Sequence, residues 1–245
     1  MSLDSRLTKE EFEKIQEERR EYVKNIGIEY RFGCYKEKRA DSCHLLGEWF
    51  EAIEQNFNKS FTLFKKNCLE KQYPKSCFKY GNYRLSGKQE TPKKLVELID
   101  SFKIACDGNV PPGCTKLGLI YWNGEEGRAP NPELAVKYME RACELEDVSA
   151  CFRLSNWYRS SEEDHNNKNQ EPNLGYVAKD VEKALSFAKI ACELGDPNGC
   201  MHVCLMYRGK DGFPEDKEQF NLYAQKAKEL FKMAKSANSE GPFTG

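Results

Sequence analysis

No stretch of this chain approaches the ~18 consecutive apolar residues that a membrane-spanning helix needs, so no membrane span is expected. Nor is there an excess charge of either sign. Lysine and arginine total 38 against 39 acidic residues, which leaves no field to draw nucleic acid or an anionic membrane surface. No Cys-x2-Cys motif occurs, so a dithiol oxidoreductase site of the usual kind is missing, and Cys200-x3-Cys204 is the nearest approach to a zinc knuckle. Residues Met1 to Tyr30 hold no apolar core of a secretory signal, and their acidic members argue against a matrix transit peptide. They read as an amphipathic helix.

What the chain does have is cysteine, eleven in 245 residues. Ten form close pairs: Cys34 with Cys43, Cys68 with Cys77, Cys106 with Cys114, Cys143 with Cys151, and Cys192 with Cys200. The first members recur at intervals of 34, 38, 37 and 49 residues, the period of a helical repeat. Apolar residues make up 39% and charged residues 31%, poor for one large core but suited to a solenoid whose thin core is shared between neighbours.

Alignment on the cysteines shows why each unit reads helix, tight turn, helix. The first cysteine ends an amphipathic stretch, as in Ile104-Ala105-Cys106 and Ile190-Ala191-Cys192. The second opens another stretch, with a small residue four positions on: Gly47, Gly81, Gly118 and Ser155. An aromatic follows at Trp49, Tyr83, Tyr121, Tyr158 and Tyr207. Small residues at that offset let helices approach closely, and the aromatic fills the gap beside them. Unpaired Cys204 falls in the small-residue slot and is expected to be a packing thiol.

Helices are predicted at 8–33, 41–56, 58–71, 75–86, 92–107, 113–123, 131–145, 149–160, 178–194, 199–208 and 214–236. Thr91 and Asn131 are candidate caps, Pro92, Pro132 and Pro214 sit near helix starts, and Gly87, Gly108, Gly124, Gly195 and Gly209 fall near helix ends. A polar insertion between Ser160 and Gly175 reads as a surface loop. The expected architecture is an all-α, right-handed α/α solenoid: one domain over 1–236, with capping helices at both ends and a flexible tail over 237–245.

Cysteines in the last turn of one helix and the first turn of the next can meet the ~4.4–6.8 Å Cα separation of a disulfide. The spacing therefore favours five disulfides, with reduced thiols and zinc as the competing states. Disulfides need an oxidising compartment. Thiols kept reduced in the cytosol, a removed leader, or oxidation in the mitochondrial intermembrane space would each reconcile the paired cysteines with this N-terminus.

The run Cys114-Thr115-Lys116-Leu117-Gly118-Leu119-Ile120-Tyr121, preceded by Ala-Cys at a helix end, resembles the cysteine-rich form of the Sel-one-like repeat over residues 20 to 235. That form characterises the Hcp beta-lactamase-like family. Its bacterial members are secreted, and its animal branch includes a mitochondrial cytochrome c oxidase assembly factor. Cys34-Tyr35-Lys36-Glu37-Lys38, Ser76-Cys77 and the Pro242-Phe243-Thr244-Gly245 end look most like the animal branch. The resemblance implies an interaction scaffold for respiratory-chain assembly, residing in the intermembrane space. Its partners would be oxidase assembly components and, during import, the disulfide relay.

Other chemistries have weaker carriers. Ser186-Phe187-Ala188-Lys189 matches the Ser-x-x-Lys of penicillin-binding enzymes, but the companion Ser-Asp-Asn and Lys-Thr-Gly elements are absent. Haem, which the resemblance links to the animal branch, would draw on His44, His165 or His202, with Met201 or Met206 as a second ligand. The reading is a non-enzymatic scaffold without cofactor or metal. A thiol-disulfide or haem-handling assembly factor, and a secreted bacterial-type repeat protein with weak penicillin binding, are the alternatives.

Overall fold

The computed structural model describes residues 8–87, 95–124, 128–160, 175–209 and 213–239. Among them the regular structure is helical, with no strand. Thr91, Pro92, His165, most of the polar insertion and the final Pro-Phe-Thr-Gly segment lie outside the described residues.

Contacts gather into two compact units, Met1–Lys93 and Lys94–Gly245. The first contains α1 (Lys9–Tyr35), α2 (Ala40–Ala52), α3 (Phe57–Lys71) and α4 (Pro74–Leu85). The second contains α5 (Leu95–Asp107), α6 (Pro111–Asn123), α7 (Pro132–Glu144), α8 (Val148–Arg159), α9 (Val181–Glu193), α10 (Pro197–Tyr207) and α11 (Lys217–Ser239). Within each unit every helix packs against the next in sequence. No helix of the described residues is long and apolar enough to cross a membrane.

Local chemistry explains the helix boundaries. Thr8 and Glu11 form a capping box at the start of α1. Asn56, Asn131, Asp147, Asp180 and Asp196 each accept a backbone N–H at a helix start, and Pro74, Pro111, Pro132 and Pro197 occupy first-turn positions where no amide is required. The expected start at Pro214 is overruled: Asp216 accepts from Glu218 and Gln219, so α11 begins at Lys217.

Each stapled turn holds one residue in the left-handed region: Lys38, Gln72, Asn109, Glu146 or Gly195. Gly108 directly follows the end of α5, as its position predicts, and the positive φ of 58° falls on the next residue, Asn109, while the Gly108 amide still bonds back to Ile104. The next amide along then reaches the carbonyl before the first cysteine: Val110 to Ala105, Asp147 to Ala142, and Asp196 to Ala191. This recurring bond turns the chain back so that the second helix starts beside the first.

Candidate functional site

Five disulfides join the pairs, Cys34–Cys43, Cys68–Cys77, Cys106–Cys114, Cys143–Cys151 and Cys192–Cys200, with Cα separations from 4.5 to 4.8 Å. All ten cysteines are buried. The residue before each second cysteine is small and buried: Ser42, Ser76, Gly113, Ala150 and Gly199. A Cβ on Gly113 would lie 2.7 Å from Ala105 Cβ, and one on Gly199 2.8 Å from Ala191 Cβ. A small residue there lets the second helix rest on the Ala-Cys end of the first.

The slot four residues after the second cysteine faces the following helix. A Cβ on Gly47 would lie 2.7 Å from Phe64 Cζ of α3, and one on Gly118 2.7 Å from Met139 Cγ of α7. In the same slot of α10, Cys204 is buried and its Sγ lies 3.6 Å from the Phe220 carbonyl. Burial pushes this thiol up, with Arg208 opposing, so little of it is nucleophilic thiolate at neutral pH.

Aromatics bridge the same helices in the second unit. Tyr121 stacks on Tyr138 at 5.6 Å, Tyr158 on Phe187 at 6.0 Å and Tyr207 on Tyr223 at 6.3 Å. In the first unit the bridging assignment of Trp49 needs correction. Trp49 packs back on α1, donating from Nε1 to the Val23 carbonyl at 3.2 Å and closing against Gly27, with Arg31 over its ring. Phe50, one residue on, is the buried counterpart of Tyr121, because one helical position is a rotation of ~100°.

A polar network crosses the first unit. His44 Nδ1 lies 3.2 Å from Ser76 Oγ, and His44 Nε2 lies 3.6 Å from Glu48. Lys79 reaches Glu48 at 3.5 Å and Glu51 at 2.7 Å, and Tyr83 donates to Glu51 at 2.7 Å. Burial pushes the Tyr83 hydroxyl far up, aided by its bond to Glu51, so it remains a donor at physiological pH. Serine, histidine and carboxylate in sequence invite comparison with a hydrolytic triad. Ser76, however, is fully buried, and its hydroxyl accepts from Asn67 Nδ2 at 2.8 Å. The arrangement locks α2, α3 and α4 together and gives a substrate no approach.

The other sequence candidates are not gathered into one centre. His202 is buried in α10 with Nδ1 3.3 Å from Ser155 Oγ and its ring 4.6 Å from Phe152. Both described imidazoles therefore sit as packed, hydrogen-bonded core groups. Met206 is fully buried and Met201 is exposed. Ser186 faces solvent, while Lys189 hydrogen-bonds Tyr207, which holds its ammonium above the usual lysine range. The Ser-x-x-Lys spacing here accompanies a lysine directed to the next helix.

A cleft of about 220 Å³ opens beside the first staple, lined by Cys34, Tyr35, Cys43, Leu63 and a rim rich in lysine. Sequence reasoning missed it because its walls come from three segments.

The Sel1 repeat family matches residues 40–68, 111–147 and 173–196. The first two of these segments span α2 with α3 and α6 with α7, helix pairs joined by packing and not by a staple. Cytochrome c oxidase assembly factor 7 of Xenopus tropicalis is 30% identical over 211 residues, which cover 69% of this chain and 91% of that protein. The chain belongs to the cytochrome c oxidase assembly factor 7 family. A Drosophila melanogaster homolog of the factor is 35% identical over 133 residues, 54% of this chain, and the match spans 37% of that longer relative. Among solved structures, a protective antigen of uropathogenic Escherichia coli with an SLR fold matches with a TM-score of 0.63 at 19% identity. That match covers 82% of this chain and 40% of the antigen, and at this identity it speaks for the fold alone.

Proposed function

We propose that this chain is a non-catalytic scaffold supporting the assembly of cytochrome c oxidase, and that it works in the mitochondrial intermembrane space. The observation that carries the reading is the likeness to the Xenopus assembly factor along 91% of that protein's length. The geometry agrees in kind. Buried serines, an up-shifted thiol and structural disulfides offer packing and surface where a catalyst would offer an accessible nucleophile. Five disulfides also call for an oxidising compartment, which a mitochondrial assembly factor finds between the two membranes. Its partners are then oxidase assembly components, with the disulfide relay acting during import.

Depletion of the protein, followed by native-gel quantification of assembled oxidase, tests this. A fall in oxidase, restored equally by the wild-type chain and by Cys204→Ser and Ser186→Ala variants, is expected. Unchanged oxidase would contradict the reading. Failure of rescue on replacing one cysteine pair, with the fold and the other four bridges intact, would move the function to disulfide exchange.

A further inference from the structure

Along α1 the side chains of Ile28, Phe32 and Tyr35 share one face and are all exposed, at 54%, 57% and 48%. Their spacing of i, i+4 and i+7 makes a stripe the length of two helical turns. Contiguous exposed apolar surface is the kind that protein interaction sites use. The stripe ends at Tyr35, which is itself a wall of the cleft beside the Cys34–Cys43 bridge. Stripe and cleft are one continuous surface.

The cleft has an apolar interior and a charged rim. Cys34, Cys43 and Leu63 supply the interior, and Asn67 forms part of the wall, its Oδ1 without a hydrogen-bond partner among the described residues. Lys38, Lys66 and Lys71 stand on the rim against a single acid, Glu70. On the adjoining turn, Glu37 and Asp41 both pair with Arg39, at 3.7 and 2.6 Å. The Lys71 ammonium donates to the Lys38 carbonyl, which holds positive charge over the turn.

Size selects among ligands. About 220 Å³ lies below the roughly 300–1,000 Å³ of pockets that enclose cofactors and drug-sized molecules. The space suits one side chain of a protein. Its rim selects charge, because cationic groups around an apolar pocket favour a partner that brings carboxylates beside its anchor.

We infer that the Ile28–Phe32–Tyr35 face and the adjoining cleft dock an acidic segment of a partner protein, one apolar side chain entering the cleft while flanking carboxylates meet Lys38, Lys66 and Lys71. This rests on the scaffold reading and names the surface and chemistry through which it acts. The partner's apolar residues lie along α1, and its acids set orientation and speed of encounter.

The test uses the purified, oxidised full chain and a fluorescein-labelled nine-residue peptide with a central leucine between glutamates. Fluorescence anisotropy should show saturable binding that weakens as salt is raised. Replacing the peptide's leucine with alanine, or its glutamates with glutamines, should weaken binding about tenfold, a difference of about 1.4 kcal/mol. Lys66→Glu and Tyr35→Ser, both at exposed positions, should do the same, with circular dichroism unchanged. Absent binding, equal binding of the glutamine peptide, or indifference to both protein variants would overturn the assignment. Oxidase assembly is measured separately by depletion, so failure of the peptide to bind leaves that result standing and faults the surface alone.

Discussion

At the scale of single residues, space decides more than propensity. Gly47 sits inside a helix, where alanine would ordinarily be better by up to about 1 kcal/mol. Here the added Cβ would press on the fully buried ring of Phe64, and overpacking of this kind costs about 1–3 kcal/mol. Gly47→Ala is therefore expected to lower stability, read as a reduced urea midpoint with the disulfides intact. His44 supplies a second prediction. Burial holds its imidazole below the ordinary histidine value; Glu48 and Glu51 oppose the shift, while Lys79 and Lys75 reinforce it. The unfolded chain protonates His44 near ~6.5 and the folded chain only at lower pH, so between those values the unfolded state binds more protons. Stability should fall as pH drops through this window. The melting temperature, followed from about pH 7.5 to 5.5, should decline less in His44→Asn than in the wild type. The slot holding Gly47 and Cys204 was legible in the aligned sequence, because its spacing from the cysteines repeats. The Ser76–His44–Glu48 network was not, since Ser76 lies 32 positions away on another helix and no local pattern links the two.

At the scale of the element, the stapled turn is the repeating device. A left-handed residue reverses the chain, a backbone bond to the carbonyl before the first cysteine fixes the reversal, and the disulfide closes it. Closing loops of eight or nine residues removes roughly 2–3 kcal/mol of unfolded-state entropy each on the chain-entropy account. Cys106→Ser combined with Cys114→Ser should therefore lower the unfolding free energy by about 2–3 kcal/mol in non-reducing urea titrations. In excess reductant the variant and the wild type should converge, as both have then lost the cross-link. Helix order and pairing could be read from cysteine spacing, proline and capping residues. The bridging aromatics could be read only to within one position. Trp49 and Phe50 are both large and apolar, and it is the three-dimensional approach of Gly27 that draws Trp49 toward α1. Asn109, which takes the left-handed position beside Gly108, shows the same limit, for asparagine is one of the few residues besides glycine that visit that conformation.

At the scale of the whole molecule, a repeat chain gains stability from neighbouring helices and spends its surface on recognition. Its composition is consistent with that division: charge is balanced, and the buried residues include cysteine, alanine and small polar groups as well as large apolar ones. Membership of the assembly factor 7 family ties the chain to cytochrome c oxidase assembly, and the proposed function adds a recognition role in an oxidising compartment. The lysine-rimmed cleft escaped sequence reasoning because three segments meet there, whereas the repeat itself is written in one dimension. The most direct test of the account is the thiol inventory of the endogenous protein in fractionated mitochondria, by alkylation under denaturing conditions and non-reducing mass spectrometry. The account predicts five bridges between adjacent cysteines, with Cys204 alone alkylated, in the intermembrane-space fraction. A protein carrying mostly free thiols, or found outside mitochondria, would contradict it.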